Sequence, residues 1–183
     1  MKYDELLIKR RSIREFEDKA VPLKVVKEII NDSVKAPSAG HAQPCSFIVV
    51  QNRKMIKRIS DDSTRTMMAT AEQDPASPTL DLRDINVFFN APCLVIIAGP
   101  RDDWPTIVED CALAAAYFMF AATARGLGTC WIGMGAAVSD PSLLAEIGMP
   151  EGHKIYAPII VGYPTEVPSM PERNEPRILK VIS

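Results

Sequence analysis

Two short clusters hold the residues best suited to chemistry in this 183-residue chain. Arg10-Arg11-Ser12-Ile13-Arg14 places three guanidinium groups and a hydroxyl within five residues near the N-terminus. Arginine presents planar, permanently charged forks that grip a phosphate through paired hydrogen bonds, so this spacing suits a small phosphorylated ligand. Pro37-Ser38-Ala39-Gly40-His41-Ala42-Gln43-Pro44 follows one helix later. It is rich in helix breakers, and its glycine lets backbone approach a flat ligand closely. Together the two clusters point to a nucleotide-like cofactor.

The elements that must position these clusters follow from apolar periodicity and breakers. A short helix over Lys2 to Lys9, with Leu6 and Leu7 inward, delivers the arginines at its end. Pro22 opens a helix to about Ala36, striped by Val25, Val26, Ile29, Ile30 and Val34, and Pro37 stops it. Cys45 to Gln51 and Pro92 to Ala98 predict strands, the first nearly all apolar and hence buried on both faces. Asn52 to Ile59 predicts a short helix, and 61–90, which holds Pro75 and Pro78, predicts a long irregular lid or loop. Pro105 to Arg125 is the strongest helix and is expected to be covered on most sides; Gly126-Leu127-Gly128 ends it and Thr129 to Ile132 returns as a strand. Asp140-Pro141 caps a helix through Ile147, and Lys154 to Val161 is a strand in which Pro158 predicts an edge or a bulge. Four prolines after Tyr163 keep the tail extended, and its apolar end (Ile178, Leu179, Val181, Ile182) is expected to dock, with a partner subunit the candidate.

Composition sets the outer bounds. A formal net charge of -2 argues against a broad nucleic-acid footprint or a polybasic membrane anchor, so the basic clusters need a local explanation. Cys45, Cys93, Cys111 and Cys130 form no CxxC pair and read as buried thiols, and neither His41 nor His153 lies at ligand spacing to a cysteine, so no metal site is expected. The charged opening Met1-Lys2-Tyr3-Asp4-Glu5 has no signal-like apolar core, and the apolar run Cys111 to Ala124 is short for a bilayer. Cytoplasmic residence without membrane association is the expectation.

In order and spacing, four motifs resemble those of the FMN-dependent nitroreductase family: Arg-Arg-Ser-x-Arg, the Pro-Ser-x-Gly-x-x-Gln-Pro loop, the run Gly126 to Gly133, and the Gly162-Tyr163-Pro164 turn into a proline-rich tail. The resemblance covers nearly the whole chain. It implies an α+β fold, a three-layer α-β-α sandwich on a mixed, largely antiparallel sheet. Residues 1–183 would be a single FMN-binding domain, with 164–183 an extended tail exchanged in a homodimer that holds FMN at the subunit interface.

Carried across residue by residue, the resemblance gives Arg10 and Ser12 the FMN phosphate and ribityl chain, with Arg11 beside them. Arg14 would sit at the pyrimidine edge, around N1 and the C2 carbonyl, where a fixed cation stabilises the negative charge that reduction places there. Pro37, Ser38, Ala39, His41 and Gln43 would cover the flavin from the other subunit. Trp131, Ile132 and Gly133 would pass the ring near N5 through backbone contacts, and Arg173 would close the phosphate site from the tail. Two departures stand out. His41 occupies a position more often Asn, and Pro171 stands where many members carry a Lys, so that Arg11 is expected to supply the missing cation.

Plainer readings stand beside these. The arginines could be a solvated helix end, since cations are favourable at helix C-termini. Ser38 lacks the base-and-orienter arrangement of a nucleophile, Trp104 could be a buried surface aromatic rather than a lid, and Asp110 could cap or pair within its helix. The function implied is ping-pong hydride transfer from NADH or NADPH through flavin N5 to an electron-poor acceptor such as a nitroaromatic or quinone. The alternatives are a specialised flavin enzyme of the same fold (dehalogenase, dehydrogenase or FMN-consuming) or a non-catalytic FMN-binding or storage protein.

Overall fold

The computed structural model describes residues 1–73, 81–101 and 104–183; Pro75 and Pro78 of the expected irregular stretch lie outside them. Four strands form one sheet in the order β1-β2-β4-β3, with β1 Ser46–Val50, β2 Cys93–Pro100, β3 Gly128–Trp131 and β4 His153–Gly162. Every pairing between these strands is antiparallel. The parallel component is a single bridge, Ser12 to Thr129, on the outer side of β3.

The central strands are apolar on both faces because helices cover both. Cys93, Val95 and Ile97 of β2 pack with Ala157, Ile159 and Val161 of β4 against α2 (Leu23–Ser33) and α4 (Ile107–Ala124). The alternate residues Leu94, Ile96 and Ala98 pack with Ile160 against α3 (Arg53–Gln73) and α5 (Pro141–Glu146). This is the three-layer sandwich, built on the period of two by which strand side chains alternate. A bulge interrupts the period, since Ile97 lies opposite Ala157 but Ala98 lies opposite Ile155. The extra residue, Tyr156, lets Ile155 join the second core although it is odd-numbered like Ala157.

Several expectations change. α1 (Tyr3–Lys9) buries no residue fully, and Leu7, expected inward, is exposed. β1 is a sheet edge, so Phe47, Ile48 and Val49 are only half-buried rather than enclosed on both faces. β4 is central, not an edge. Pro158 is tolerated there because its carbonyl accepts from Ile132 N (2.9 Å), and that side of β4 is where β3 ends. α4 leaves Val108, Leu113 and Tyr117 exposed, so it is covered on fewer sides than its hydropathy implied.

The largest change is α3, which runs through residue 73 where irregular chain was expected after residue 60. Its buried face carries Ser60, Asp62, Ser63 and Thr64 beside Ile56 and Ile59, so hydropathy alone hides the helical period. Each buried polar group has a partner. Val87 N donates to Ser60 Oγ (3.0 Å), Ser63 Oγ donates to Met134 O, and Ser139 N (2.8 Å) and Asp140 N (3.1 Å) both donate to Asp62 Oδ2.

The N-terminal segment then locks onto the sheet. Ile13 N donates to Thr129 O (2.9 Å), Glu17 N donates to Tyr163 O (2.9 Å), and Phe16 bridges Pro164. This close approach requires glycine in β3, because a Cβ on Gly128 would lie 2.7 Å from the Ile13 side chain. Gly128→Ala should therefore cost about 1–3 kcal/mol through overpacking, read as a lowered urea midpoint with an unchanged slope. Wild-type stability in that variant would show that the segment is not held there.

Candidate functional site

Threading residues 11–17 beside β3 places the basic cluster at one corner of the molecule. Arg10 is the C-cap of α1, with its N–H on Leu6 O (3.0 Å). Ser12 and Arg14 point outward, and they border a groove shared with Glu15, Thr165, Glu166 and Pro168. The Arg14 guanidinium lies 5.7 Å from the centroid of the Phe89 ring, within range of a cation–π contact.

Arg11 behaves differently from its neighbours. Its side chain folds back onto α1, where Nε donates to Ile8 O (2.9 Å) and Nη2 donates to Leu7 O (2.8 Å). These bonds satisfy carbonyls that the helix end would otherwise leave without partners. Burial, then the charges of Arg10 and Arg173, hold its pKa below the ordinary guanidinium value. These contacts are those of the plainer reading, a cation at a helix end. The same electrostatics show that Arg173, from the tail, lies within reach of the N-terminal cluster.

Arg10, Arg14 and Arg173 have no carboxylate partner among the described residues. Arg10 and Arg173, from the two ends of the chain, both act on Arg11, and an anion there relieves the repulsion among like charges. Beside them β3 runs out through Trp131, which is exposed, and Ile132, which is buried. Gly133 follows in a 3-10 turn, Gly133–Ala136, where a Cβ would meet nothing within 4 Å. The turn is fixed from below by Ser63 on Met134 O, and the chain after it by Asp62 on Ser139 and Asp140. A flat ligand edge thus has open space over a rigid backbone, and an anionic tail has guanidinium partners. The donor set fits a phosphorylated flavin.

The second cluster is built elsewhere. Ser38, Ala39, Gly40 and His41 form a tight turn, with Gly40 at φ 56°, His41 at 57° and Gln43 at 50°. The left-handed conformation at His41 favours Asn, Asp or His over other side chains, which is a backbone reason for Asn and His to exchange at this position. His41 Nε2 lies 3.1 Å from Gln43 Nε2, and Gln43 N donates to Ser38 Oγ (3.0 Å), so Ser38 shapes the loop and faces no base. Pro37, His41 and Gln43 are exposed.

Asp110, given no catalytic role by sequence, anchors this loop. Buried in the first turn of α4, it accepts from Ala39 N (3.0 Å), Trp104 Nε1 (2.7 Å) and Thr106 Oγ1 (3.1 Å). Trp104 is accordingly a half-buried aromatic tied to Asp110. Arg11, by contrast, shares a cavity with Thr123 and Gly126 at the far end of α4. At about 1.5 Å of rise per residue, Asp110 and Thr123 are roughly 20 Å apart. Within one chain the loop and the arginine cluster therefore sit at opposite ends of one helix.

A family model described as the nitroreductase family matches residues 7–163. The chain belongs to that family. A protein of Archaeoglobus fulgidus provisionally named NADH dehydrogenase/NAD(P)H nitroreductase is 28% identical over 170 residues, covering 88% of this chain and 85% of the relative. Iodotyrosine deiodinase of Haliscomenobacter hydrossis is 24% identical, covering 98% of this chain and 88% of its own length. A Bacteroides fragilis nitroreductase solved with bound FMN superposes with a TM-score of 0.79 over the whole of both chains, at 25% identity.

Asp62, Ser63, Phe89 and Asp110 were not picked out from sequence as site residues. Phe89 and Asn90 are held at φ 52° and 54°, conformations that no local motif announces. For Asp110, a buried carboxylate in an apolar helix was the available signal.

Burial pushes the Asp110 carboxyl up, yet its hydrogen bonds from Trp104, Ala39 and Thr106 outweigh burial and hold it below the ordinary value. A depressed folded value means the stabilisation is complete above the unfolded pKa, about 3.9, and fades as pH falls through the folded one. Asp110→Asn should cost about 1–3 kcal/mol at neutral pH, because the amide nitrogen cannot accept a bond. Urea titrations should show the gap to wild type narrowing at pH 3; a gap independent of pH would assign the effect to packing alone.

Proposed function

We propose that the protein is an FMN-dependent oxidoreductase acting as a homodimer, with a reduced nicotinamide, NADH or NADPH, as donor and an electron-poor small molecule as acceptor. The observation carrying the cofactor is that Ser12 and Arg14 border one groove while Arg10 and Arg173 both act on Arg11 at the same end of the chain, with Arg10, Arg14 and Arg173 lacking a carboxylate partner among the described residues. The FMN bound by the Bacteroides fragilis relative supports the assignment. The chemistry such a cofactor supplies is two-electron transfer in a ping-pong cycle, from a reduced nicotinamide to an acceptor such as a nitroaromatic or quinone.

The chain's own residues hold and polarise. Arg10, Ser12 and Arg173 grip the phosphate, as guanidinium and hydroxyl donors suit its oxygens. Arg14, steadied against Phe89, places a fixed positive charge at the pyrimidine edge, where negative charge develops on reduction. The backbone of Trp131, Ile132 and Gly133 would pass the ring, with Gly133 the position that adds no side chain and leaves room for the donor's ring. No acid or base is assigned to hydride delivery. Position and field are the protein's contribution.

The roughly 20 Å that separates the two clusters along α4 supports the dimer. One chain cannot close Pro37, Ser38, Ala39, His41 and Gln43 over a ligand held by its own arginines, whereas a second copy can. The surface is suited to this. Residues 165–183 form no helix or strand, and Ile178, Leu179, Val181 and Ile182 are at least 73% exposed. β1 offers an unpaired sheet edge, and α1 exposes Tyr3, Leu7 and Ile8. We place residues 164–183 around the partner, where this apolar surface is buried, and the assembly in the cytoplasm, where unpaired thiols stay reduced. Reductive dehalogenation is the second reading, carried by the likeness to iodotyrosine deiodinase.

The purified protein should be yellow, bleach with NADH or NADPH, and regain colour on adding menadione or nitrofurazone; 3-iodotyrosine restoring it faster would favour the second reading. Colourless material that refuses FMN would overturn both. Arg14→Ala should slow flavin reduction about tenfold or more while changing FMN affinity less. Equal and small effects on rate and affinity would remove Arg14 from its role.

A further inference from the structure

The cofactor reading leaves the cysteines unused, and two of them meet. Cys45, the residue after the Pro37–Pro44 loop, brings its Sγ within 3.6 Å of Cys111 Sγ on α4. Cys111 is fully buried and Cys45 half-buried. A cleft of about 30 Å³, lined by Pro37, Ser38, Gln43, Cys45, Phe47 and Asp110, opens onto this position. That volume admits one or two molecules of the size of water. We propose that Cys45 and Cys111 form a peroxide-sensitive site that closes to a reversible intramolecular disulfide.

The chemistry balances with hydrogen peroxide as oxidant. The Cys45 thiolate attacks one peroxide oxygen, the O–O bond breaks, and the departing hydroxide takes up the proton that Cys45 released and leaves as water, giving a sulfenic acid. The Cys111 sulfur then attacks the Cys45 sulfur, the S–O bond breaks, and the second oxygen leaves as water with the Cys111 proton. Two thiols give up two electrons, and the peroxide takes both. The arrangement assigns the order of events. A hydrogen bond between the two thiols lowers the Cys45 pKa and raises that of Cys111, while burial and the Asp110 charge act against ionisation of both, so the accessible sulfur is the better nucleophile of the two. Closure shortens the sulfur separation from 3.6 Å to about 2.05 Å, with Cys45 half-buried in the residue before β1, a sheet edge. Cys93 is buried with its thiol pushed up to about 12, and Cys130 is buried too. Neither has a thiol neighbour among the described residues.

The test treats the full-length protein as purified with hydrogen peroxide or with oxidised glutathione. Peroxide should reduce the free thiols titrated in denaturant from four to two, lower the intact mass by two hydrogens, and yield a non-reduced peptide linking Cys45 to Cys111. Dithiothreitol should restore all four. Oxidised glutathione, too large for the cleft, should act at least about tenfold more slowly. Cys111→Ser should trap Cys45 as a dimedone-reactive sulfenic acid; if that variant does not fold, the wild-type peptide map decides. Four surviving thiols, a link through Cys93 or Cys130, a link between copies, or equal rates with both oxidants would each overturn the proposal.

Discussion

The structure depends on the seam where residues 11–17 lie against β3 and the turn after β4. Two main-chain bonds, Ile13 N to Thr129 O and Glu17 N to Tyr163 O, fix its register. The seam closes only because Gly128 and Gly162 carry no side chain where Ile13 and Phe16 approach. Side chains on an extended segment alternate, so this register buries Ile13 and sends Ser12 and Arg14 outward. A slip of one residue would bury the functional groups and expose the apolar one. Three motifs far apart in sequence are therefore one packing solution, and the basic cluster inherits its geometry from two glycines.

Polar groups inside the helical layers do the remaining positioning. Asp110 holds the loop at the start of α4, while Asp62 and Ser63 of α3 hold the turn and chain after β3. Each makes its hydrogen bonds away from bulk water, where an unpaired donor costs more than a bond gains. The layers thereby specify the shape of the loops proposed to face the ligand as well as stabilising the sheet. Arg11 acts similarly at the end of α1, securing the helix that leads into the cluster.

Legibility in the sequence tracked the kind of physics involved. The apolar runs of β2 and β4, the stripe of α2 and the Asp140-Pro141 start of α5 were read from pattern, because burial and capping leave local signatures. Asp140 does accept from Ser142 N and Leu143 N. The second half of α3 was missed, since its buried face is serine and aspartate, whose partners come from distant segments. Of the two outcomes Pro158 suggested, an edge or a bulge, the structure has the bulge, at Tyr156, while strand order, a global property, puts β4 at the centre. The arginine and Pro-Ser clusters were visible as chemistry. What was not visible was that one guanidinium of the set would be spent on a helix end, or that a buried aspartate would carry the loop.

The length of α4 has a consequence for how sites are counted. In the proposed dimer each copy contributes an arginine corner to one flavin and a Pro-Ser loop to the other. A mixed pair, one subunit damaged only in its corner and the other only in its loop, would hold one wholly intact site and one doubly defective site. Two inactive preparations would then regain about a quarter of native turnover on random subunit exchange, since half of the pairs are mixed and each holds one intact site, a form of complementation that follows from a single helix holding the two half-sites apart.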